Sequence, residues 1–302
     1  MTGSIIGRRL LLALVGAPLA AAMPLHAATG ESAPLRVVAS FSILADMVRE
    51  VGGSAVVVTS LVGHDADAHV FSPTPADALR VARAQLVVVN GLRFEGWIDR
   101  LVQASGYRGP MLVASRGIPV RNTPGGADPH AWHDLANARR YVDHIRAALV
   151  SAAPEQRTAI ETRAARYTAQ VDALDAQTKT LVAALPANRR RVITGHDAFG
   201  YFAAAYGIEF LSPRGWSTDS EPSAEAVARI VRQLREQRAS ALLVENISDP
   251  RLIERIAREA NARVGGRLYS DALSAPGAEA DTFLKLYAHN MRTVIDALKA
   301  PA

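Results

Sequence analysis

The chain has 302 residues, 49% of them hydrophobic, a net charge of +5 and no cysteine. The absence of thiols excludes disulfides and thiolate ligands, so any metal site must be built from His, Asp, Glu and other oxygen donors. The small positive surplus is spread along the chain with no basic cluster interleaved with aromatics, which removes nucleic acid from the expected partners.

Residues 1–27 have the three parts of a secretory signal. Arg8 and Arg9 form the positive start, Leu10 to Ala22 an apolar run of 13 residues, and Leu25-His26-Ala27 a small-residue cleavage site, with Ala28 as the alternative end. That run is shorter than the roughly 20 residues needed to span a bilayer. We read a cleaved signal peptide of the Sec type, because the match around the arginine pair is too loose for a twin-arginine signal. Its loss removes two positive charges and no acid, which lowers the net charge from +5 to +3. No later segment is apolar for long enough to span, and no cysteine is available for lipid modification. The expected product is a periplasmic protein that is not membrane-embedded. Its remaining length of about 275 residues exceeds a typical single domain and points to two lobes.

Leu35–Ser40 is a buried-strand run, followed by an amphipathic segment, Ile43–Val51, that ends at Gly52-Gly53. Val56–Val62 reads as a second strand. Thr74 is a predicted N-cap, with Pro75 at the first helical position and Asp77 in the first turn. That helix runs to about Ala84, and Leu86–Asn90 is a third strand. Leu101 lies in another helix, and Met111–Ala114 makes a fourth strand. Such alternation predicts a parallel sheet covered by helices.

From Leu135 to Leu185 nothing resembles a strand. Beyond Pro154, Ile160, Ala164, Tyr167, Val171, Leu174, Thr178, Leu181 and Leu185 recur in steps of three and four, which predicts one long packed helix. After Pro186 the first pattern returns. Strands are expected at Val192–Thr194, Ile208–Leu211, Ala241–Glu245 and Arg267–Ser270, with helices beginning near Ala198, Glu221 and Asp249-Pro250, and a last helix over Ala280–Leu298. The predicted fold class is α/β: two lobes, each a mainly parallel sheet flanked by helices, joined by one long rigid helix. The expected boundaries are a signal peptide at 1–27, an N-terminal metal-binding lobe at 28–150, the linking helix at 151–187 and a C-terminal metal-binding lobe at 188–302.

Seven of the eight histidines remain after the signal leaves: His64, His69, His130, His133, His144, His196 and His289. His69 follows the second strand, His130 lies in a loop after the fourth, and His196 and Asp271 stand at the carboxyl ends of strands in the second half. Ligands of open α/β sheets bind at the carboxyl ends of the strands. Three imidazoles and one carboxylate therefore stand where the lobes would face one another. Three N donors and one O donor complete a tetrahedral zinc shell with bonds of about 2.0–2.2 Å. A shell filled by protein leaves no easy position for an activated water, which favours transport over catalysis. Spacing alone says little, since more than 60 residues separate each of these from the next.

The local strings say more. HVFSPTP at 69–75, DPHAW at 128–132, GHDAFGYF at 195–202, VENISDPRLIE at 244–254 and LYSDALS at 268–274 together resemble one family. It is the metal-binding family of ABC-transporter periplasmic solute-binding proteins, which serve zinc and manganese uptake. The resemblance covers essentially the whole mature chain. It implies that His69, His130, His196 and Asp271 hold the metal, with His196 at a position that is His in some members and Glu in others. It also implies a metal buried between two lobes, a monomer, and delivery to an ABC permease driven by its ATPase at the inner membrane. Many zinc members carry a His-rich acidic loop between the first two ligands. Here RGIPVRNTPGGAD has no histidine, so auxiliary capture by that loop does not carry over.

Other residues have plainer readings. His64 is a remote alternate ligand, His133 and His144 are expected on the surface, and His289 is expected to be structural. Glu245 either supports a ligand or pairs with an arginine. Glu221 reads as a first-turn helix carboxylate, and Asp134 as a group that could orient an imidazole. The expected cargo is Zn2+, with Mn2+ or ferrous iron as the alternative, since manganese prefers more oxygen donors and its specialised members often have Glu at the third position. A periplasmic metallohydrolase is the distant alternative. The chain has no HExxH helix, no short His-x-His cluster and no Gly-x-Ser-x-Gly elbow.

Overall fold

The strand-helix alternation of the sequence folds into two four-stranded parallel sheets. The computed structural model describes residues 1–3, 33–123, 125–237 and 240–299. Beyond Gly3 the predicted signal peptide lies outside the described residues, and residues 34–302 form one compact unit.

The first sheet contains β1 (Leu35–Ala39), β2 (Val56–Ser60), β3 (Leu86–Val89) and β4 (Met111–Val113), in the order β2-β1-β3-β4. Its crossovers carry α1 (Ser42–Gly52), α2 (Pro75–Ala82) and α3 (Ile98–Ser105). All four residues of β3 are buried, as expected for an inner parallel strand covered on both faces. At the start of α2 the Thr74 hydroxyl accepts from the Asp77 N–H while the Asp77 carboxylate accepts from the Thr74 N–H, the reciprocal cap that Thr-Pro-x-Asp encodes.

A two-stranded hairpin, β5 (Asn122–Thr123) and β6 (Gly126–Ala127), leads to α4 (Leu135–Ala152) and α5 (Arg157–Ala183). The α5 helix is about 40 Å long at 1.5 Å per residue. Its stripe packs against α1 and α4 of the first half and against α6 (Gly200–Tyr206) and α9 (Phe283–Lys299) of the second. Thr178, the polar member of that stripe, is buried because its hydroxyl donates to the Leu174 carbonyl.

The second sheet contains β7 (Arg191–Ile193), β8 (Glu209–Leu211), β9 (Ser240–Glu245) and β10 (Val264–Leu268), in the order β10-β9-β7-β8. Counted from its other edge it repeats the strand order of the first sheet. The helices α7 (Ala224–Gln237) and α8 (Arg251–Ala260) complete it. One apolar cluster runs from Val37 and Trp132 through Tyr167 to Leu243 and Leu286, so both sheets share it. A smaller one, including Ile193, Ile230 and Ile256, lies between the second sheet and α7 and α8.

Several expectations shift. The last strand begins at Val264, earlier than Arg267, because Gly265 and Gly266 carry no side chain that would signal it. A Cβ at Gly265 would lie 2.8 Å from Ala297, so the glycine lets α9 approach the sheet. The helix α7 begins at Ala224, and Glu221 lies outside it, paired with Arg214 at 2.7 Å. The hairpin β5–β6 forms where only a loop was expected.

Candidate metal centre

The structure brings His69, His130, His196 and Asp271 together: one donor atom from each lies within 4.8 Å of all the others. His69 sits on the irregular segment between β2 and α2. His130 precedes a 3-10 turn at Ala131–His133, His196 follows β7, and Asp271 follows β10. All four side chains are buried.

The convergence is between ring nitrogens and one carboxylate. Nε2 of His69 is 3.3 Å from Nε2 of His130. The Asp271 carboxylate lies 3.1 Å from His69 Nε2, 3.2 Å from His196 Nε2 and 3.5 Å from His130 Nε2. Among the described residues, neither Asp271 oxygen has a hydrogen-bond donor in line, although the residue is fully buried. A buried charge without aligned donors is costly unless it is paired or bound to a metal. The two facing Nε2 atoms, 3.3 Å apart, can share either one proton or one cation.

Acids behind the rings orient two of them. Asp128 Oδ1 is 2.9 Å from His130 Nδ1 and also accepts the His130 backbone N–H, while its Oδ2 accepts from Arg121 at 2.8 Å. Glu245 Oε2 is 2.6 Å from His196 Nδ1, close as an ion pair though out of line for a hydrogen bond. Its Oε1 accepts the backbone N–H groups of Gly195 and His196 at 2.7 and 3.0 Å. Asp67 accepts the His69 N–H through Oδ1 and the Thr218 hydroxyl through Oδ2, which ties the His69 segment to the loop after β8. From that loop the Trp216 ring stands 5.8 Å from the ring of His69.

Electrostatics follow from burial and these neighbours. Burial lowers His130, but the Asp271 and Asp128 carboxylates outweigh it and raise it to about 9. His196 is likewise raised well above the usual imidazole range, because Glu245 and Asp271 overcome the effect of burial. His69 is lowered, mainly by burial. Burial would raise Asp271, yet His130 and His196 hold it well below the usual carboxylate range. A cavity of about 330 Å³, lined by Asp67, Arg214, Glu245 and Ser248 among others, reaches Glu245 but none of the four converging residues.

The remaining histidines fall elsewhere. His64 is exposed and outside the cluster. His133, expected on the surface, is buried, with its ring 4.6 Å from that of Phe199. Burial and the neighbouring His130 lower it to about 3, so it stays neutral. His144 is half-buried rather than on the surface, with Nδ1 2.8 Å from the Ala114 carbonyl. His289 Nε2 is 3.0 Å from the Arg267 carbonyl, a structural position as expected. Asp134 does not orient an imidazole but caps α4, accepting from the Ala136 N–H. Asp67, Asp128, Arg121 and Trp216 were not expected around the site. The acid two residues before each of His69 and His130 is the sequence signal that could have found the two aspartates.

Two α/β halves whose loops converge on a buried His3Asp cluster define a metal-binding protein of the ABC-transporter substrate-binding class. Among the described residues no helix is long and apolar enough to cross a membrane. The chain belongs to the family described as zinc-uptake complex component A, periplasmic, whose match covers residues 37–297. It is 31% identical over 275 residues to the manganese-binding lipoprotein MntA of Bacillus subtilis strain 168, covering 88% of this chain and 90% of that one. It is 28% identical to the iron-binding protein YfeA of Yersinia pestis, covering 86% and 85%. The fold matches the periplasmic zinc-binding protein TroA of Treponema pallidum with a TM-score of 0.85 at 28% identity, over 88% of this chain and all of that one. As a substrate-binding component it works with a permease and an ATPase.

Proposed function

We propose that this protein captures Zn2+ with His69, His130, His196 and Asp271 and carries it to its permease at the inner membrane, acting as a monomer after its signal peptide is cleaved. The observation that carries the reading is the buried Asp271 carboxylate, without an aligned hydrogen-bond donor and facing three Nε2 atoms at 3.1 to 3.5 Å. A tetrahedron with bonds of about 2.0–2.1 Å has edges of about 3.3 Å, close to the 3.1 and 3.2 Å from Asp271 Oδ2 to His69 and His196 and the 3.3 Å between His69 and His130. Three imidazoles and one carboxylate suit zinc better than manganese, which favours oxygen-rich, higher-coordinate shells. The manganese or ferrous reading is favoured by the names of two relatives, and a bidentate Asp271 would serve it. A hydrolase reading finds no support, since four protein donors leave no position for an activated water.

Elemental analysis of protein purified from its native compartment, without added metal or affinity tag, tests the cargo. One equivalent of zinc per chain is expected. Manganese or iron at that stoichiometry would change the cargo and keep the site. His196→Ala is expected to weaken zinc binding by orders of magnitude with the fold intact, measured by chelator competition. Full affinity in that variant would overturn the ligand set.

A further inference from the structure

The carbonyls immediately before His69, His130 and Asp271 each accept a hydrogen bond from a buried side chain. Trp97 Nε1 donates to Ala68 at 2.8 Å, Asn90 Nδ2 to Pro129 at 2.9 Å and Trp132 Nε1 to Ser270 at 3.1 Å. We propose that Asn90, Trp97 and Trp132 are positioning residues that set the metal geometry by clamping the peptides that carry three of the ligands. The inference rests on the ligand set proposed above.

The three donors are themselves held. Trp97 stacks edge-on against Phe71 with ring centroids 4.9 Å apart. Trp132 is fully buried against Phe41 and Phe94, at 5.1 and 5.0 Å. Asn90 has no freedom left: its Oδ1 accepts from the Tyr141 hydroxyl, its Nδ2 also donates to the Gly91 carbonyl, and its backbone N–H donates to the buried Glu95. Hydrogen bonds are directional, so a fixed donor orients the peptide plane it meets. That plane sets the direction in which the next residue projects its side chain. A buried carbonyl that loses its donor pays a desolvation penalty, so each peptide strongly prefers the clamped position. Metal bond lengths tolerate deviations of only about 0.2 Å, so small rotations of these peptides matter to the site.

Trp132 has a second consequence. It lies two residues after His130 and reaches across to the peptide before Asp271, so one side chain couples a ligand of the first half to a ligand of the second. At His196 the equivalent restraint comes from Glu245, which holds the backbone N–H groups of Gly195 and His196. With the clamps in place the four donors are preset for a small tetrahedral ion. Without them the site relaxes toward ions that accept irregular shells.

Trp132→Phe and Trp97→Phe remove the N–H and keep an aromatic ring. The test loads each variant with Co(II), whose visible bands report tetrahedral geometry. It also measures zinc affinity by chelator competition, manganese competition, and the melting temperature of the metal-free protein. Each variant is expected to bind zinc on the order of tenfold more weakly, with weakened or shifted Co(II) bands and a smaller preference for zinc over manganese. A lower melting temperature with parental zinc affinity and Co(II) bands would overturn the proposal, because the side chains would then only support the fold. Should Trp132→Phe not fold, Trp97→Phe, which clamps a different ligand, decides alone. Failure of the ligand set itself would appear separately, as Co(II) bands in the parent protein that survive His196→Ala.

Discussion

Asp128 and Glu245 stand behind His130 and His196, each within 2.9 Å of Nδ1 and each buried. A carboxylate at Nδ1 fixes the ring and makes Nε2 a better donor to a metal. Glu245→Gln and Asp128→Asn are expected to weaken zinc binding about 10- to 100-fold while the apo protein stays folded, and chelator competition measures this. Unchanged affinity would show that the backbone alone holds the rings. Asp271 with Asp128 raises His130 to about 9, and Glu245 with Asp271 raises His196 well above its usual range. A raised imidazole holds its proton at neutral pH, and a bound metal must displace it. Zinc binding at pH 7 is therefore expected to release protons, and affinity to fall as pH drops below about 9. Calorimetry in buffers of different ionisation enthalpy checks this, and a buffer-independent heat would contradict it.

At the scale of elements, α1 presents Asp46 to the start of α9, where its Oδ2 accepts the Phe283 N–H at 2.8 Å. The bond satisfies a helix N-terminal donor that would otherwise be buried without a partner. Burial, the largest influence, nevertheless pushes the Asp46 carboxyl up to about 7. A folded-state value above the unfolded one stabilises the protonated form. The stability from this group is therefore fully present below about pH 4 and lost as pH rises through about 7. Asp46→Asn keeps an acceptor without a charge. It is expected to raise the urea midpoint at pH 8, by up to about 4 kcal/mol in stability, and to flatten the fall between pH 4 and 8. A lower midpoint at pH 8 would mean that the charge at the helix start is worth more than its burial costs.

At the scale of the molecule, the shared apolar cluster and α5 tie both sheets into one core, so a single unfolding transition is expected. The proposed ligands come from both sheets, and further bonds cross between the halves, including Asn246 to Asp65 at 2.9 Å and the Asp65 N–H to the Leu273 carbonyl at 2.9 Å. Zinc bound there stabilises only the folded arrangement. At a free concentration 100 times its Kd it contributes about 2.7 kcal/mol, which is expected to raise the melting temperature by roughly 5–10 °C for a chain of this size. Differential scanning calorimetry with and without zinc measures the shift. Two separate transitions would show that the halves unfold independently.

The sequence by itself determined most of the elements and their class. Strand runs such as LVVV, the Thr74 cap and the three-four stripe of α5 depend on neighbours a few residues away, and local periodicity reports such neighbours well. It also marked His69, His130, His196 and Asp271, through local strings rather than through their spacing. Only the tertiary structure decided what lies between them. The strand at Val264 forms because glycines admit α9, and His133 is buried because Phe199 and Trp132 close over it. The bonds from Trp97 to Ala68, Asn90 to Pro129 and Trp132 to Ser270 join residues 29, 39 and 138 positions apart. No local pattern carries contacts of that range, because they exist only once both sheets have packed on the same core.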